Sequence, residues 1–86
     1  MQKSNFDFIE LVKIGLNLKK DLDIIPVYFV KTFSSEYGKK VLAYLISITL
    51  NRCLGANASS EELRFLEGQR YLVSFIQNMI KKGEGK

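Results

Sequence analysis

Ser59, followed three residues later by Glu62 and then by apolar residues at helical spacing, constrains this chain more than any other feature. A serine at a helix entry accepts a bond from a free backbone N–H of the first turn, and a glutamate three positions on reaches back to the serine's own N–H. From there Leu63, Leu66, Tyr71, Leu72, Phe75, Ile76, Met79 and Ile80 continue the pattern. Lys81, Lys82 and Gly83 supply the basic residues and the glycine expected at a helix end. The spacing predicts a helix over 60–82, with 83–86 a flexible tail.

The chain before Ser59 carries the same period. Gly55-Ala56-Asn57-Ala58 reads as a connection, with Gly55 placed for a left-handed cap. A helix over 35–54 is expected to start where the hydroxyls of Ser34 and Ser35 can cap it and Glu36 brings negative charge to its first turn. Val41, Leu42, Leu45, Ile48 and Thr49 form its apolar stripe, which Tyr37, Tyr44, Ile46 and Leu50 widen almost to the whole circumference. That composition predicts burial on more than one side. Between Ser4 and Leu22, Phe8, Leu11, Val12, Gly15 and Leu18 lie opposite Asp7, Glu10, Lys13, Asn17 and Lys20, the pattern of an amphipathic helix. Pro26 marks a break at Asp23-Ile24-Ile25. The segment after it, Val27 to Phe33, suits a short helix, since proline is tolerated in the first turn, or a strand, since it is rich in Val, Tyr and Phe.

These elements predict an all-α fold, a small three- to four-helix bundle in a single domain over 1–82. Its expected centre is a C-terminal antiparallel helical hairpin, 35–54 against 60–82, with the first helix packed over it.

Composition removes several function classes. The 86 residues contain no histidine, so histidine-based catalysis and the commonest zinc chemistry cannot be assembled. The single cysteine, Cys53, cannot form an internal disulfide and is expected to be a small buried apolar residue. Thirteen Lys and Arg against nine Asp and Glu give a net charge of +4. The basic residues are dispersed, which suits a solvated surface better than a nucleic-acid footprint. The N-terminal stretch lacks the apolar core of a secretory signal, and the longest apolar stretch, Val41 to Leu50, is far short of the roughly 20 residues that span a bilayer. No cofactor, metal, membrane or small-molecule substrate is implied, and an enzyme is not expected.

The candidate functional positions are of three kinds. Gly38 and Gly68 lie inside expected helices, where glycine costs about 1 kcal/mol relative to alanine, so each is read as a place of close helix packing. Glu67 and Arg70 stand one turn apart and can pair, and Arg70, beside Gln69, can reach a carboxylate on another helix or subunit with its planar guanidinium. Tyr28, Phe29 and Phe33 either complete the core or anchor a partner. Glu61, Glu62 and Glu67 show nothing that would make an acid/base pair.

Two runs carry a resemblance. Thr32-Phe33-Ser34-Ser35-Glu36-Tyr37-Gly38-Lys39-Lys40-Val41-Leu42-Ala43-Tyr44-Leu45, followed after a loop by Phe65-Leu66-Glu67-Gly68-Gln69-Arg70-Tyr71-Leu72-Val73-Ser74-Phe75-Ile76, resembles a family of small tailed-phage structural proteins typified by the Bordetella-phage Bbp nineteen protein. The likeness covers roughly residues 32 to 80. It implies a virion or virion-assembly component, located in the virion or the host cytoplasm, whose partners are other virion proteins or further copies of itself. The competing expectation is a small phage-encoded regulatory module, either an inhibitor of a host protein or a basic helical DNA-binding protein.

Overall fold

The computed structural model describes residues 6–18 and 21–85. They form four helices, α1 (Phe8–Leu18), α2 (Ile25–Ser34), α3 (Glu36–Ile48) and α4 (Ser60–Glu84), and the fold is all-α.

Local chemistry sets the helix starts. The Asp7 carboxylate accepts from the N–H groups of Ile9 and Glu10 at 3.0 and 3.3 Å and opens α1. Pro26 occupies the first turn of α2, where its missing N–H costs nothing, which decides for helix over strand. Ser35 caps α3 by accepting from Gly38 N–H at 2.9 Å, and its hydroxyl donates back to the Thr32 carbonyl at 3.2 Å. At α4 both halves of the capping box form, with Glu62 N–H donating to Ser59 Oγ at 3.1 Å and Ser59 N–H to Glu62 Oε1 at 3.2 Å.

Packing differs from the expected arrangement. The closest helix pair is α2 with α4, and α3 meets α4 over a much smaller area. Pro26 lies against Gly83, and Phe29 meets Phe75 edge-on at 6.1 Å, so α2 runs antiparallel to the C-terminal half of α4. The hairpin partner of α4 is therefore chiefly α2. The reason is steric: Gly83 has no side chain to hold the Pro26 carbonyl away, and a Cβ there would come within 2.2 Å of that oxygen. Gly83 is buried inside α4 rather than beyond its end, and the helix continues to Glu84.

Five further expectations are corrected. α3 ends at Ile48, six residues before Leu54, because Thr49 leaves helical geometry at φ −126° and ψ −76° while its hydroxyl donates to the Leu45 carbonyl at 2.6 Å. Gly55 is not a left-handed cap, since no described glycine has positive φ. α3 buries no residue, and neither does α1, which is not packed over the other helices. Cys53 is exposed, in the connection after α3. Of the expected first helix between Ser4 and Leu22, residues 4–5 and 19–20 lie outside the described residues.

The buried hydrophobic core among the described residues consists of Leu66 and Val73, 3% and 4% exposed, on one side of α4. The radius of gyration is 16.0 Å, against about 12 Å for a compact domain of this length. Helix formation here has outrun core formation: each helix carries a long apolar stripe, and too few of the stripes face one another.

Candidate interaction surface

The structure separates the two glycines singled out by sequence. At Gly38 a Cβ would come within 2.0 Å of the Thr32 carbonyl oxygen and 2.8 Å of the Phe33 Cα. Gly38 thus permits the tight corner between α2 and α3, and its packing partner is the end of α2. At Gly68 a Cβ would meet nothing within 4 Å. Nothing inside the chain requires glycine at that position.

The surroundings of Gly68 are apolar. Phe65, Gly68, Leu72, Phe75, Met79 and Gly83 recur at steps of three and four, so they lie along one face of α4. Exposure falls along this face from 60% at Phe65 and Leu72 to 43% at Phe75, and Gly83 is buried. The gradient follows α2, whose 10 residues cover the C-terminal part of a helix of 25 and leave the N-terminal part bare. The face that receives α2 at Gly83 therefore continues to Gly68 with no occupant.

Glu67 and Arg70 sit on the adjoining side. Arg70 Nη1 donates to Glu67 Oε1 at 2.6 Å, as their spacing suggests. The rest of the guanidinium does not reach a carboxylate on another helix. Nε donates to the Thr49 carbonyl at 3.0 Å and Nη2 to the Arg52 carbonyl, so Arg70 ties α4 to the chain leaving α3. The Thr49 carbonyl also accepts from the Arg52 N–H at 3.2 Å, so the guanidinium fastens a turn that already closes on itself just past the end of α3. Gln69 is exposed and lines a shallow recess with Arg52, Leu54, Glu62, Phe65 and Leu66.

The three rings near Pro26 divide. Phe29 and Phe33 are half-buried and stack at a centroid distance of 6.3 Å, and Phe29 also meets Phe75. Tyr28 is exposed beside them and, with Phe29, Thr32 and Phe33, lines a small apolar hollow. A second bare stripe runs along α3 through Tyr37, Val41, Tyr44 and Ile48. Sequence reasoning missed Gly83 and Thr49. Gly83 was hidden by its position after two lysines, where glycine ordinarily ends a helix.

Comparison with known families adds a match over residues 29–84 to Bbp19-like phage protein. The chain belongs to that family. The matched span begins within α2 and runs through α4, so it includes Gly38, the Glu67 and Arg70 tie and the whole Phe65 to Gly83 face of this family member, while α1 lies outside it. No curated protein and no solved structure gives a match. The chain is thus a phage-related helical protein, and no helix among its described residues is long and apolar enough to cross a membrane.

Proposed function

We propose that this protein is a non-enzymatic structural or assembly component of the virion, working through helix-mediated contacts with other virion proteins and with further copies of itself. The observation that carries the reading is the amount of apolar helix surface left uncovered. The chain exposes 7432 Å², whereas a compact protein of its 9.9 kDa exposes roughly 5,200 Å² by the usual scaling of area with mass. Phe8, Ile9 and Val12 on α1, Tyr37, Val41 and Tyr44 on α3, and Phe65 and Leu72 on α4 are each more than half exposed, and apolar residues left bare in such clusters mark interaction sites.

The competing DNA-binding reading needs free cations gathered on one face. Arg70 is instead committed to backbone carbonyls, and Lys40 lies 3.5 Å from Glu36. Lys39, Arg52 and Arg64 remain exposed, on the start of α3, the connection after it and the start of α4. This placement favours the protein-contact reading.

The test is mass spectrometry of purified phage particles beside the lysate from which they came. The reading expects the protein in intact particles at a fixed ratio to the other virion proteins. Its presence in infected cells but absence from both particles and assembly intermediates would overturn it.

A further inference from the structure

We infer that the bare N-terminal half of the α4 face, centred on Gly68, is a docking groove for α1 of a second copy of this chain. The inference rests on the reading that this protein works through helix contacts, and it names one partner and one site.

The groove has a counterpart within the chain. At Gly83 a helix glycine admits the backbone of α2. Gly68, on the same face, offers the same absence of a side chain with open space above it, flanked by exposed Phe65 and Leu72. A surface glycine in a helix lowers stability, and Gly68 recovers nothing for that cost inside its own chain.

The unpaired element that fits is α1. Its 11 residues include Phe8, Ile9, Leu11, Val12, Ile14 and Leu16, all exposed, and none of its residues is buried. Antiparallel placement, the orientation α2 already adopts, permits a register in which Phe8 lies opposite Leu72, Val12 opposite Gly68 and Gly15 opposite Phe65. Large side chains then meet glycine at two successive levels. Gly15, like Gly68, has nothing within 4 Å of its Cβ position.

A second copy is required by the tether. Asp21 N–H donates to the Leu18 carbonyl at 2.8 Å and Ile24 N–H to the Asp21 carbonyl at 3.0 Å, so two turns hold the end of α1 beside the start of α2. That point lies at the Gly83 end of α4, roughly 22 Å along the helix from Gly68 at a rise of 1.5 Å per residue. The intervening face is already covered by α2. Reciprocal docking, each copy giving α1 and receiving α1, closes as a two-fold dimer. The surplus exposure of roughly 2,200 Å² per chain exceeds the ~800 Å² that each partner contributes to a standard interface.

The experiment mixes chains carrying Leu11→Cys with chains carrying Gln69→Cys, both with Cys53→Ser, and treats them with a short bismaleimide. Residues 11 and 69 are opposite in the proposed register. The expected result is a covalent dimer in the mixture that neither variant gives alone, together with a solution mass twice the 9.9 kDa of one chain. Gly68→Leu should weaken dimerisation at least tenfold while leaving helical content unchanged, because the side chain enters open space in its own chain. A monomer at all concentrations overturns the inference and leaves contact with a different virion protein standing. Cross-linking of Gln69→Cys chains to one another, which would show α4 paired with α4, overturns it as well, as does a Gly68→Leu protein that dimerises normally.

Discussion

Arg70 Nε lies 3.0 Å from the carbonyl oxygen of Thr49, 21 residues earlier in the chain and just past the end of α3. With Nη2 donating to the Arg52 carbonyl and Nη1 to Glu67, one side chain sets how the connection after α3 sits on α4. Because α3 and α4 share so little packing, this polar tie bears more of their relative placement than apolar contact does.

Arg70→Ala should therefore destabilise the fold by about 2 kcal/mol, the magnitude of hydrogen bonds made by a charged group. Arg70→Lys should recover only part of that loss, since an ammonium on a flexible stem cannot bridge two carbonyls and a carboxylate in the guanidinium's planar geometry. Urea unfolding followed by far-UV circular dichroism measures both. Equal stability of Arg70→Ala and the parent would show that the tie is not formed in solution.

Three of the helix glycines should respond to alanine with different signs. Gly38→Ala and Gly83→Ala drive a Cβ against backbone carbonyl oxygens at 2.0 and 2.2 Å, and backbone cannot step aside as a flexible side chain can. Each should cost about 1–3 kcal/mol, the range for overpacking. Gly68→Ala meets nothing and should stabilise the isolated chain by about 0.8–1.0 kcal/mol through helix propensity. Midpoints of thermal or urea unfolding at low protein concentration give all three values.

How much of this was legible in sequence varied with the range of the interaction. The caps at Ser35 and Ser59 could be read because their chemistry is confined to a few consecutive residues, and the helical class followed from the spacing of apolar positions. Helix pairing could not be read in the same way. The stripe of α3 through Tyr37, Val41 and Tyr44 has the period of a buried helix, yet it faces solvent, since amphipathicity states that a face needs cover without stating which molecule supplies it. Gly38 and Gly68 look alike in sequence. They differ because the Thr32 carbonyl stands over one and nothing stands over the other.

Removal of the capping box should show how strongly α4 depends on its first turn. Ser59→Ala deletes the acceptor for Glu62 N–H and frees the glutamate that bonds Ser59 N–H. The expected loss is about 1 kcal/mol, with fraying confined to the segment before Leu66. Hydrogen exchange should show faster exchange at Leu63 and Arg64 and little change beyond Val73.

The core itself offers the sharpest test of how lightly this chain is held together. Leu66 and Val73 are seven residues apart, two turns of α4 and on the same side, and they are the buried hydrophobic residues of the described chain. Leu66→Ala removes apolar volume beneath the connection that Arg70 also fastens, and such truncations cost about 2–5 kcal/mol in well-packed interiors. A small domain holds only a few kcal/mol in reserve, so the isolated variant should be largely unfolded at 25 °C. If covering the bare faces supplies the missing stability, raising the protein concentration should restore helical signal to Leu66→Ala, because a partner that binds only the folded form shifts the equilibrium by mass action. Concentration-independent unfolding of this variant would instead place its stability wholly within one chain.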